Sequence, residues 1–232
     1  MWVPLYGAVR EAEERTVAKK RIAVLISGRG SNFRAILEET RQGGINGEVV
    51  LVISDNPDAK GLLYAKENTV PRMVFVLSEG ERRSNYFERI IARLEESDVD
   101  LICLAGFMKV LSSNIVERYR NRIVNIHPAL LPAFPGENAQ GQAVAYGVKV
   151  SGCTVHFVDE GVDTGPIIIQ ETVRVLDDDT EQTLAARILE KEHEIYPIAV
   201  KLFCDDALTV EGRSVRILKE QGGTHETTES VR

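Results

Sequence analysis

Asn125 and His127 stand two positions apart in the run Asn-Arg-Ile-Val-Asn-Ile-His-Pro-Ala-Leu-Leu-Pro-Ala-Phe-Pro-Gly, residues 121–136. On extended backbone that spacing points both side chains the same way. An amide and an imidazole projecting together can polarise a carbonyl and handle its proton. The run begins as a short buried strand, Ile123 to Ile126. Pro128, Pro132 and Pro135 then prevent it from continuing, because each removes a ladder donor and restricts the residue before it. Taken alone, an Asn-x-His pair reads as polar groups satisfying local backbone. The Pro-stiffened context is what turns the reading toward chemistry.

Three further places offer matching chemistry. Gly28-Arg29-Gly30-Ser31-Asn32 follows an apolar strand and opens a helix, the place where an open α/β sheet binds phosphate through backbone N–H groups. A dinucleotide fingerprint wants a small sixth residue and Phe33 stands there, while Ser31 and Asn32 offer side-chain donors, so the turn suits one phosphate. The bland alternative is a tight turn with Ser31 or Asn32 capping the helix. Asp163 lies among Gly161, Gly165 and Pro166, in a loop able to deliver a carboxylate at close range. It can orient an imidazolium or collect a proton through water; by itself it is an ordinary solvated acid. Glu192 falls on the inward stripe of a helix, at i+4 from Ile188 and i−3 from Ile195. Burial there is costly unless the carboxylate is paired or faces a polar cleft, so it is either a substrate contact or half of a structural ion pair. His156 and His193 read as structural.

The elements that position these residues alternate regularly. Apolar runs at Ile22–Ile26, Val49–Ile53, Met73–Leu77 and Val99–Ala105 read as strands. Helices are expected at Phe33–Gln42, after Asn56-Pro57 through Lys66, at Glu81–Glu96 and around Ser112–Tyr119. After Gly136 come a helix at Ala139–Tyr146, strands at Cys153–Val158 and Ile167–Val175, and a helix from Glu181 to about Tyr196, where Pro197 is expected to end or kink it. Short strands near Ala207–Val210 and Val215–Leu218 finish the pattern. The fold class is therefore α/β, one domain with a mostly parallel, Rossmann-like twisted sheet and helices on both faces. The domain is expected over 21–218, preceded by an extension at 1–20 and followed by a polar, disordered tail at 219–232.

Composition narrows the classes. The chain has 232 residues, 44% hydrophobic and 27% charged, which suits one domain able to bury a real core. A net charge of −7 argues against nucleic acid as the main partner. Cys103, Cys153 and Cys204 are odd in number and unclustered, which fits a reducing cytoplasm rather than a disulfide framework. The histidines lack ligand spacing, so no metal site is expected. The short apolar start, followed at once by acids, argues against export, and no span reaches membrane length.

Taken together, Gly28 to Asn32, Asn125-Ile126-His127-Pro128 with Leu130-Leu131-Pro132, and Gly152 to Gln170 around Val-Asp-Thr-Gly-Pro resemble the folate-dependent formyltransferases. The Gly-Ser-Asn turn and the Glu192-His193 pair resemble most the branch acting on phosphoribosylglycinamide, over about residues 21 to 218. The resemblance implies the formyltransferase fold and, as co-substrate, 10-formyltetrahydrofolate, whose formyl group would pass directly to the amine of 5′-phosphoribosylglycinamide in purine synthesis. It implies that Asn125 stabilises the oxyanion, that a protonated His127 assists, and that Asp163 pairs with His127 and accepts the amine proton through water. Gly30, Ser31 and Asn32 would hold the phosphate and Glu192 the ribose or glycinamide. Leu104, Met108, Lys109, Val110 and Leu111 would line the pterin pocket, with Arg83 on the folate glutamate tail. Some members carry Arg at the position of Lys109 and a His in the loop where Gly136 to Gln140 stand here. Expected partners are these small molecules, with no nucleic acid and no membrane, in a monomer or homodimer.

The rival enzyme is a 10-formyltetrahydrofolate hydrolase, whose relatives usually carry an N-terminal regulatory domain that about 20 residues cannot hold. Sugar and methionyl-tRNA formyltransferases usually carry a further C-terminal domain. From another class, a nucleotide- or folate-binding regulator could keep the scaffold without turnover. A dehydrogenase is disfavoured by Phe33.

Overall fold

The first strand, β1 (Lys20–Ile26), is apolar without alternation because both of its faces are covered. Ile22, Val24 and Ile26 point into one cluster, with Phe33, Ile36, Leu184, Ile188 and Val200. Ala23 and Leu25 point into the other, with Tyr86, Phe87, Ile90, Leu94 and Ile115. The structure, a computed structural model, describes residues 18–218. The extension and tail expected at 1–20 and 219–232 lie outside the described residues, apart from residues 18–20.

The remaining elements follow in order: α1 (Ser31–Gln42), β2 (Gly47–Ser54), α2 (Lys60–Glu67), β3 (Arg72–Val74), α3 (Arg83–Glu96), β4 (Leu101–Leu104), α4 (Ser113–Arg118) and β5 (Ile123–His127). Then come α5 (Ala139–Tyr146), β6 (Val150–Phe157), β7 (Ile167–Arg174), α6 (Glu181–Cys204), β8 (Leu208–Glu211) and β9 (Ser214–Ile217). They build a nine-stranded sheet ordered β3-β2-β1-β4-β5-β6-β7-β9-β8. From β3 to β5 every pair is parallel, and β6 and β7 return antiparallel. The β8–β9 hairpin joins β7 through the pair Ile167 and Ser214. This is the mixed, mostly parallel α/β sheet expected from the alternation of runs.

The order reverses direction between β1 and β4, which opens a crevice at the carboxyl ends of those strands, where such sheets bind ligands. The two loops leaving it are laced together. Ser27 N–H donates to the Gly106 carbonyl at 3.1 Å, and Met108 N–H donates to Ser27 Oγ at 2.8 Å.

Two elements depart from expectation. The third strand is only Arg72–Val74, because it is an exposed edge in which Met73 and Val74 have no second layer to bury against. The last helix runs unbroken through Pro197 for 24 residues. Proline inside a helix costs roughly 3 kcal/mol. Burying Ile195 and Val200 returns about 1.5–3 kcal/mol each, and Tyr196, Ala199 and Cys204 on the same buried face add to this. At its start Thr180 caps α6 and accepts Thr183 N–H at 3.2 Å, within a reciprocal capping box.

Candidate active site

Residues Asn125 and His127 alternate along β5 with Val124 and Ile126. The latter two pack on the α6 side, so the amide and the imidazole face the other side, as their spacing requires. Antiparallel pairing sets His156 of β6 directly opposite Asn125. The loop between β6 and β7 folds back over this face and brings Asp163 to both histidines.

The proton positions follow from the partners. His156 Nδ1 lies 2.8 Å from the Phe157 carbonyl, so it carries the hydrogen. Its Nε2 lies 3.2 Å from Asn125 Nδ2 and 3.7 Å from Asp163 Oδ1. An Asn125 N–H also faces Asp163 Oδ1 at 3.5 Å, a long and weak contact. His127 Nε2 donates to the Phe134 carbonyl at 2.8 Å, and His127 Nδ1 faces Asp163 Oδ2 at 3.3 Å. That oxygen also accepts Gly136 N–H at 2.8 Å. Both neighbours of His127 are therefore acceptors, and a second proton on the ring has a place waiting for it.

Electrostatics decides when that proton arrives. Burial presses the His127 pKa below the ordinary histidine value, while the Phe134 carbonyl and then the Asp163 carboxylate pull the other way. Burial would raise Asp163. The His156 imidazole, the Gly136 amide and His127 outweigh it and hold the carboxyl below the usual aspartate range. Burial favours the neutral imidazole of His127, and the Asp163 carboxyl is held toward its ionised form. The protonated His127 expected from the resemblance is thus opposed by burial until a proton is delivered.

A second polar cluster gathers at the start of α1. Gly30 is the N-cap, in the left-handed region at φ 76, with no side-chain cap. Ser31 and Asn32 are inside the helix, so neither caps it. The first-turn N–H groups have no intrahelical acceptor and are left free to bind an anion. Asn32 Nδ2 donates to Glu192 Oε2 at 2.7 Å, while Asn32 Oδ1 is buried without a partner. Glu192 is buried, and burial raises its pKa against the opposing Asn32 bond. No ion pair holds it among the described residues. Phe33 is fully buried, edge-on to Tyr64, and occupies core where a dinucleotide turn would be open.

The residues expected to meet folate lie on the β4 side of the crevice. Leu104 is buried at the end of β4, whereas Met108 and Val110 are exposed and Leu111 is partly covered. Lys109 Nζ lies 3.6 Å from Asp55. Arg83 opens α3 at the surface; its neighbour Ser84 accepts a 3.3 Å bond from Asn114, just beyond Leu111. Structure thus brings Asn125, His127 and Asp163 into contact, and Asn32 to Glu192. The two clusters reach the crevice rim from opposite faces of the sheet. His156, read as structural from sequence, belongs with the first cluster. The signal lay in strand register, which β6 alone does not reveal.

Comparison with known proteins identifies the family and the fold. The Formyl transferase family profile matches residues 20–200. Phosphoribosylglycinamide formyltransferase of Bacillus subtilis is 42% identical over 78% of this chain and 93% of that protein. The trifunctional purine biosynthetic protein adenosine-3 of Drosophila melanogaster is 50% identical over 79% of this chain, which spans 14% of that relative's length. Glycinamide ribonucleotide transformylase 1 from Symbiobacterium toebii superposes with a TM-score of 0.85 at 50% identity, covering 87% of this chain and 95% of that one. With the fold and a family profile over most of the chain in agreement, the chain belongs to the formyl transferase family.

Proposed function

We propose that the chain transfers the formyl group of 10-formyltetrahydrofolate to the amine of 5′-phosphoribosylglycinamide, a step of purine synthesis. The observation that carries this reading is the 3.3 Å gap between His127 Nδ1 and Asp163 Oδ2 beside the Asn125 amide. Attack of an amine on a formyl carbon creates an oxyanion and leaves a surplus proton on nitrogen. Asn125 meets the first need by turning its weakly held N–H from Asp163 to the oxyanion. The gap meets the second: it takes the amine proton, through water, and His127 becomes an imidazolium between two acceptors. Collapse of the intermediate then breaks the bond from the formyl carbon to N10 and expels tetrahydrofolate, whose N10 takes the proton from the His127 imidazolium through water. No covalent enzyme intermediate is needed.

The names of the relatives support the acceptor, as does the substrate end of the crevice. Gly30, Ser31 and Asn32 offer first-turn N–H groups for the phosphate, and Glu192 offers a carboxylate for ribose hydroxyls or the glycinamide amine. Leu104, Met108, Val110 and Leu111 form an apolar wall suited to a pterin, and exposed Met108 and Val110 would gain cover from it. Lys109 and Arg83 supply cations for the folate carboxylates.

The three cysteines are free and buried, which suits a reducing cytoplasm. Among the described residues no helix is long and apolar enough to cross a membrane, and no cluster could hold a metal ion.

A formyl-transfer assay with 10-formyltetrahydrofolate, run with and without phosphoribosylglycinamide, tests the reading. Tetrahydrofolate appearing only with the amine, together with formylated product, is the expected result. Equal release as free formate without the amine would make the chain a hydrolase, and silence in both would leave a binding protein.

A further inference from the structure

We propose that Arg213, on the turn between β8 and β9, is a positioning residue for Asp163. The inference rests on the reading of Asp163 as the proton-accepting partner of His127. Asp163 sits in the left-handed region at φ 54, a conformation that favours glycine and that the surroundings of a side-chain-bearing residue help to hold. The loop supplies part of that hold itself. Asp159 Oδ1 accepts Gly161 N–H at 3.1 Å and Thr164 Oγ1 at 2.6 Å. A cleft of about 490 Å³ opens between the loop and the hairpin, lined by Val158, Asp159, Pro166, Val210 and Arg213.

Arg213 spans that cleft. Its Nη1 donates to the carbonyl of Thr164, the residue next to Asp163, at 2.9 Å. The donor is held in register by the hairpin itself, because Ser214 pairs with Ile167 at the loop's exit. Arg120, across the same cleft, lies 3.9 Å from Glu160 and gives only a loose ion pair. Among the described residues Arg213 is thus an arginine that reaches the backbone beside Asp163 from outside the loop. The family match ends at residue 200, so the clamp belongs to a segment beyond it.

The test compares Arg213→Ala, Arg213→Lys and Arg216→Ala in the full chain, with kcat, both KM values and melting temperature measured. Arg216 pairs with Glu211 on the same hairpin, at 3.0 Å, without a bond to the loop, and controls for general loosening. Arg213→Ala is expected to lower kcat by about five- to tenfold with KM values within about twofold, and Arg213→Lys to restore most of it. Arg216→Ala should stay near wild type. Unchanged kcat in Arg213→Ala, equal loss in Arg216→Ala, or loss that tracks melting temperature and is not rescued by lysine would each overturn the proposal. Asp163→Asn separates the two readings. If it keeps full turnover, the role of Asp163 falls; if it is inactive while Arg213→Ala is normal, only the clamp falls.

Discussion

Asn32 and Glu192, 160 positions apart, meet through a 2.7 Å hydrogen bond that ties the turn after β1 to the middle of α6. The bond satisfies one carboxylate oxygen, but burial still holds the Glu192 pKa above its ordinary 4.5. The sign of the linkage follows. Below 4.5 the acid is protonated in both folded and unfolded chains, and no penalty exists. As pH rises from 4.5 to the folded value, the unfolded chain ionises first and stability falls, the loss being complete above the folded value. Glu192→Gln removes that titration and adds a donor, for which the unpaired Asn32 Oδ1 is a ready acceptor. Melting curves should show the variant increasingly more stable than wild type as pH rises, with the difference vanishing near about pH 4. The same variant should raise KM for phosphoribosylglycinamide. A variant less stable than wild type at neutral pH would show that Glu192 is a structural anion.

His127 and Asp163 should behave as one unit. In the proposed mechanism either change removes the place where the proton is taken, so His127→Ala and Asp163→Asn should each lower kcat by about 10²–10⁴-fold. The double variant should lose about as much as either alone, since the second change removes nothing that still works. Losses that multiply in the double variant would mean that the residues act separately.

The pH dependence of turnover distinguishes a proton-collecting His127 from one that is charged from the start. Burial places its pKa below the ordinary 6.5, so the ring is neutral in the free enzyme above that value. The profile of kcat/KM should rise with pH along an acid limb centred below 6.5, as the gap is emptied of its proton. The stability linkage has the same direction: the unfolded histidine binds more protons below 6.5, so this contribution is lost as pH falls toward the folded value. A limb on the basic side, with activity lost as His127 deprotonates, would favour the charged form.

Much of this arrangement was legible in the chain before its fold. The spacing of Asn125 and His127 fixes their common side of β5, and the stripe of Leu184, Ile188 and Ile195 fixes Glu192 inward, because both follow from backbone periodicity alone. Partnership across strands was not legible. His156 alternates on β6 like any half-buried residue, and only the pairing of Asn125 with His156 brings its ring to the amide. The Asn32–Glu192 bond depends on how α1 and α6 dock on one face, and the run of α6 through Pro197 depends on how much that face buries. Each is a tertiary effect overriding a local preference.

The glycines of the first turn should separate by function. Gly30 holds φ 76, and a methyl group there would meet the Gly61 Cα at 2.8 Å, a backbone atom that cannot swing aside. Gly61 is itself fixed, since its N–H donates to the Gly28 carbonyl at 3.1 Å. Gly30→Ala therefore combines left-handed strain with a backbone collision, and should destabilise the chain by about 1–3 kcal/mol. Because the same residue starts α1, the displaced N–H groups should also raise KM for phosphoribosylglycinamide more than KM for the formyl donor. Gly28 lies outside the left-handed set, and a methyl group there meets nothing within 4 Å. Gly28→Ala should then keep the wild-type melting temperature. Denaturant melts and KM values for both substrates check the pair; equal behaviour of the two variants would mean that the turn tolerates either change and that Gly30 has no special place in it.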